Sequence, residues 1–134
     1  MNRLRVVLAE DCRDMREAVE SILRADFELV GSVANGKDLL AAALTLHPDV
    51  IVADIRMPFF TGPQVMNELR SHGVETPFVF ISTRFPEFQE LIRQGANGIV
   101  AKLDMFTELS RAVRCAASRE LYLSRSAALS DQGV

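Results

Sequence analysis

Three carboxylates in this sequence stand where acids are hard to explain as structure. Val50-Ile51-Val52-Ala53 is a run of four apolar residues, three of them β-branched, that ends abruptly on Asp54. Leu4-Arg5-Val6-Val7-Leu8-Ala9 likewise ends on acid, Glu10-Asp11. Such runs read as strands buried on both faces, as in parallel sheets. Open α/β sheets bind ligands outside the carboxyl ends of their strands, which sends all three acids to one crevice. Two carboxylates about 4 Å apart repel by about 4 kcal/mol at an effective dielectric of about 20. Three together must take up a proton or share a cation. Oxygen donors with no histidine or thiolate among them suit Mg²⁺ or Mn²⁺. Farther along, Phe78-Val79-Phe80-Ile81 ends on Ser82-Thr83, and Gly98-Ile99-Val100-Ala101 ends on Lys102. A cation beside an ionised aspartate, a hydroxyl and a lysine is equipment for phosphoryl transfer. The positive groups offset charge on the phosphoryl oxygens while the carboxylate attacks.

The segments that must carry these residues alternate between strand and helix. Met15, Ala18, Val19, Ile22 and Leu23 recur at helical spacing, with Arg16, Glu17, Glu20 and Arg24 on the other face. Phe27 to Val33 reads as a strand closed by Asn35-Gly36. Leu39, Leu40, Ala43 and Leu44 mark a helix ended by His47-Pro48. Thr61-Gly62-Pro63 opens a third helix, which stops at His72-Gly73. A short helix through Phe88, Leu91 and Ile92 runs to Gly95, and Asp104 is expected to cap the last helix, built on Leu109, Ala112, Val113 and Ala116. The pattern is (βα)5. It predicts an α/β fold, a five-stranded doubly wound parallel sheet of the flavodoxin-like kind with strand order 2-1-3-4-5. From Ser124 onward no apolar period remains, so 1–123 is read as one domain and 124–134 as a frayed tail or the start of a linker. Phe59-Phe60, beside the site, is expected to pack under its loop, with a partner-docking patch as the alternative.

Composition narrows the classes. The 134 residues are 49% hydrophobic and 25% charged, which fits one globular domain. No run approaches the roughly 18 apolar residues of a membrane span, and no signal-peptide core opens the chain, so a cytoplasmic protein is expected. Cys12 and Cys115 are too few and too far apart for a disulfide framework or zinc site. A net charge of −3 argues against nucleic-acid binding by this piece itself.

Taken together, Glu10-Asp11, Asp54 followed by Met57-Pro58, Gly62, Ser82, the Gly95-Ala96-Asn97-Gly98 turn and Lys102 resemble the receiver domain of bacterial two-component response regulators. The match runs from Arg3 to about Leu123. The opening Arg5 to Asp11 and the late Tyr122-Leu123-Ser124 look most like the NarL/LuxR-type subfamily. The resemblance implies that Asp54 accepts a phosphoryl group from a phosphohistidine on a sensor histidine kinase. It implies that Glu10, Asp11 and Asp54 hold Mg²⁺ (or Mn²⁺) with the backbone carbonyl of Arg56. Ser82, with Thr83 beside it, would bond the phosphoryl group, and Lys102 would pair with it. The implied output is transcriptional, with possible homodimerisation on phosphorylation and DNA contact only through a C-terminal domain absent from this chain. Position 99, usually aromatic in the family, is Ile99. The change is therefore expected to travel by packing around Phe85, Phe88 and the fifth strand, with helix 4, strand 5 and helix 5 as the responsive face. Leu103 stands where proline is common, so a trans peptide is expected after Lys102.

Other functions fit less well. A haloacid-dehalogenase-like phosphatase needs a second aspartate two positions after the first, where this chain has Arg56. A flavin-binding module would place its phosphate against Glu10-Asp11, and no glycine-rich phosphate loop follows any strand. A stand-alone receiver, or a degenerate scaffold working by protein contact, is the main alternative. A signalling domain rather than an enzyme is expected.

Overall fold

A computed structural model describes residues 3–83 and 88–131. In chain order its elements are β1 (Arg5–Ala9), α1 (Arg13–Asp26), β2 (Glu28–Val33), α2 (Gly36–Leu46), β3 (Val50–Asp54), α3 (Gly62–Ser71), β4 (Phe78–Ser82), α4 (Phe88–Arg93), β5 (Gly98–Ala101), α5 (Met105–Ala117), β6 (Tyr122–Leu123) and α6 (Arg125–Asp131). One 3-10 turn, Lys102–Asp104, joins β5 to α5. The strands form one parallel sheet ordered β2-β1-β3-β4-β5-β6. The expected order 2-1-3-4-5 holds, and a sixth strand extends it.

The apolar runs are continuous because both sheet faces are covered. Val6 and Leu8 of β1, Val50 and Val52 of β3, Val79 and Ile81 of β4 and Val100 of β5 pack with α1 and α5. Val7 and Ala9, Ile51 and Ala53, Phe78 and Phe80, and Ile99 pack on the opposite face with α2, α3 and Leu91 of α4. Successive side chains point to opposite faces of a strand, so a sheet buried on both sides needs an apolar residue at every position. The edge strand β2 lacks this constraint and is only half-buried.

Two expectations are corrected at the C-terminal end. Residues 124–131 are not frayed: α6 packs on β5, and Ser124 and Ala127 are both fully buried. Small residues carry this packing, so no bulky apolar period announces it. Asp104 precedes α5, but its side chain makes no cap there. It accepts instead from the Ser126 amide at 2.8 Å and the Ser126 hydroxyl at 3.1 Å, at the start of α6. The α3 start is as expected, and more fully made. Thr61 Oγ1 accepts from the Gln64 amide and Gln64 reaches back to the Thr61 amide, satisfying two orphan donors at once.

Candidate functional site

Strand register sets the crevice. β3 and β4 pair Asp54 with Ile81, and β4 and β5 pair Ser82 with Ala101, so Asp54, Ser82 and Lys102 leave the sheet within about one residue of a common edge. Carboxylate oxygens of Glu10, Asp11 and Asp54 all lie within 4.8 Å of one another. The three differ in burial: Glu10 is buried, Asp54 intermediate and Asp11 exposed.

Local contacts hold the acids in place. The Glu10 amide donates to Val33 O of β2, and Arg16 of α1 donates to the Glu10 carbonyl at 2.9 Å. One Asp54 oxygen accepts from the Ile55 amide at 2.7 Å. The loop after β3 folds back on the strand end, where the Gly62 amide meets Ile55 O. A Cβ at position 62 would lie 2.4 Å from the Asp54 carbonyl oxygen and 2.7 Å from the Phe80 ring. Only glycine allows this approach.

Charge is frustrated here. Burial, the hydrogen bond to Asp54 and the charges of Asp54 and Asp11 push the Glu10 carboxyl up to about 8, with the Asp11 amide opposing. Glu10 therefore holds its proton more tightly than an ordinary glutamate, beside Asp54. A site that traps a proton to relieve repulsion among hard oxygen donors is also one that a divalent cation fits.

Ser82 is buried, while Thr83 and Lys102 are exposed. All three line one cleft of about 640 Å³ with Leu103, Phe106 and Ser126. No described residue forms an ion pair with the Lys102 ammonium. Arg56 is exposed, two positions past Asp54. Ile99 is fully buried beneath the α4 side of the sheet. Phe85 lies outside the described residues, as does the side chain of Phe88. No cis peptide occurs among the described residues, in line with Leu103 after Lys102.

Phe59-Phe60 does not pack under its loop as first expected. Phe59 is 75% and Phe60 45% exposed. Phe59 takes a left-handed φ of 70°, which turns the loop outward, and Pro58 O is bound by the Gly36 amide.

The family model described as the response regulator receiver domain matches residues 6–114. The chain belongs to this family. As a receiver domain it is 33% identical over 115 residues to an uncharacterized transcriptional regulatory protein, YvfU, of Bacillus subtilis, covering 83% of this chain and 58% of that one. It is 30% identical over 129 residues to a nitrate/nitrite response regulator protein homolog of Haemophilus influenzae, covering 93% of this chain and 62% of that one. The receiver thus spans roughly three-fifths of these relatives. The signal receiver domain of the putative response regulator NarL from Mycobacterium tuberculosis superposes with a TM-score of 0.83 at 31% identity, over 88% of this chain and 98% of that one. The NarL/LuxR-type likeness read from the sequence fits these relatives.

The sequence reading of the receiver missed the residues that tie its C-terminal end to the crevice: Asp104 in its actual role, Glu108, Ser124 and Ser126. The available signal was a helix start, since two apolar residues followed by Ser124 and a further serine form a capping pattern. The distant carboxylates that complete that cap carry no local signature.

Proposed function

We propose that this receiver accepts a phosphoryl group on Asp54 from a phosphohistidine of a sensor kinase, in a reaction that needs Mg²⁺ or Mn²⁺. The supporting observation is the trio Glu10, Asp11 and Asp54 within 4.8 Å, at the same sheet edge where β4 ends on Ser82 and β5 leads into Lys102. A carboxylate oxygen of Asp54 forms the new O–P bond as the P–N bond breaks. The electron pair of that bond returns to the imidazole, which then takes a proton. Glu10, Asp11 and Asp54, with the Arg56 carbonyl, would hold the cation, which would neutralise charge on the acids and phosphoryl oxygens. Lys102 pairs with a phosphoryl oxygen from the β5 side, and the Ser82 hydroxyl, with Thr83 at the cleft mouth, bonds another. Stabilising charge in this way is the main work a protein does in phosphoryl transfer.

The domain is then a signalling switch rather than an enzyme with turnover on other molecules. Relatives named as transcriptional regulators support a transcriptional output through a separate domain, in a cytoplasmic setting. Among the described residues no helix is long and apolar enough to cross a membrane. Incubation with Mg²⁺ and acetyl phosphate should add one phosphoryl mass, labile to base and absent from Asp54→Asn. Lys102→Ala should stay folded yet label poorly or fail to respond. Labelling that persists in Asp54→Asn would move the acceptor elsewhere.

A further inference from the structure

The segment after α5 does more than lengthen the sheet. It returns to the edge of β5 and is stitched there on both sides of Val100: the Ser124 amide donates to Ile99 O at 2.9 Å, and Ser124 Oγ accepts from the Ala101 amide at 2.8 Å. Two amides at the start of α6 then find partners outside their own helix. Arg125 N donates to Glu108 at 3.0 Å and Ser126 N to Asp104 at 2.8 Å. The Tyr122 hydroxyl donates to Glu108 as well, at 2.6 Å. Burial alone would raise the Asp104 carboxyl; the Ser126 amide and the hydroxyls of Ser124 and Ser126, with Arg125 nearby, hold it below its ordinary value. Held this way, α6 buries Ala127 in the same apolar cluster as Ile99, Leu91 and Leu123.

Asp104 is not independent of the phosphoryl-binding side. It ends the three-residue turn that begins at Lys102, and Ser126 lines the same cleft as Ser82, Thr83 and Lys102. A turn of three residues transmits displacement of one end to the other, and hydrogen bonds weaken steeply with distance and angle. We propose that β6–α6 is a strap latched by Asp104, and that a phosphoryl group on Asp54, by drawing Lys102 toward it, rotates the turn and breaks the Asp104–Ser126 contacts. α6 then loosens over Ile99. The inference rests on the phosphoacceptor reading of Asp54 and Lys102. It gives Ile99 a part that needs no aromatic ring, as a member of the apolar cluster that α6 joins through Ala127. It also revises the expected responsive face, because the β5 edge is already covered by the chain's own β6–α6.

Linkage requires the coupling to be reciprocal. A latch that phosphorylation breaks is a latch that opposes phosphorylation. Amide hydrogen exchange of the whole chain should be followed by NMR with Mg²⁺ alone and with Mg²⁺ plus beryllofluoride. The Ser126 and Ala128 amides should exchange about tenfold faster with beryllofluoride, as expected for a local opening. Asp104→Ala should show the faster exchange without ligand and half-saturate with beryllofluoride at a concentration about fivefold lower. Ser126→Ala, which removes only the hydroxyl contact, should move both readouts the same way by less. If the Asp54 and Lys102 signals shift while exchange in α6 is unchanged or slower, the strap is wrong and the phosphoacceptor reading stands. If the Asp54 and Lys102 signals do not respond, both are overturned.

Discussion

At the β1–β3 end of the crevice, three like charges are forced together and one of them keeps a proton to make this tolerable. At the β5–β6 end, carboxylates meet hydrogen-bond donors, with Asp104 and Glu108 both satisfied by amides at the start of α6. The first arrangement is strained electrostatically and therefore depends on a stiff support: β1 and β3 are buried on both faces, and Gly62 closes against the carbonyl of Asp54. The second is relaxed, with its contacts made by a turn and a short helix. Chemistry sits where the scaffold cannot yield, and response sits where a few hydrogen bonds can be exchanged.

The contrast sharpens first with pH. Glu10 is raised from 4.5 to about 8, so between those values the folded state holds a proton that the unfolded chain has released. Its stabilising contribution is full below 4.5, falls as pH rises toward about 8, and is level above that. Denaturant midpoints measured in EDTA should carry this falling component. Saturating Mg²⁺ should remove it, because the cation takes the proton's place, and Glu10→Gln should remove it without metal. Next in size is the cation itself. Asp11→Asn should weaken Mg²⁺ binding by about tenfold or more in calorimetry. A wild-type affinity unchanged by that substitution would separate Asp11 from the site.

Stability separates the two ends more finely. Gly62→Ala forces a methyl group against the Asp54 carbonyl and should cost about 2 kcal/mol by urea unfolding. Asp104→Ala removes a helix cap and should cost about 1 kcal/mol. Phe59→Ser, at an exposed ring in the intervening loop, should stay within about 0.5 kcal/mol. A reversed order of the first two would mean that the acidic corner is the yielding one.

The same contrast explains how much was legible in the sequence. Val50 to Asp54 and Phe78 to Ser82 betrayed both their strands and their site residues, because a strand buried on both faces admits no polar residue until it leaves the sheet. Lys102 and Ser82 followed from the same rule. The β6–α6 strap was hidden because its buried positions are Ser124 and Ala127, too small to stand out, and because its caps arrive from Asp104 and Glu108 far back in the chain. Phe59 misled because apolar character was weighed without the left-handed turn that carries its ring outward.

The central claim is that Asp54 is the acceptor of a phosphoryl group. Borohydride reduces an acyl phosphate to an alcohol, turning a phosphorylated aspartate into homoserine. After reaction with acetyl phosphate, borohydride treatment and peptide mass spectrometry should find homoserine at position 54, in the presence of Mg²⁺ and not of EDTA. A reduced side chain at another aspartate or glutamate, or an unmodified position 54 in protein that has gained a phosphoryl mass, would contradict the account.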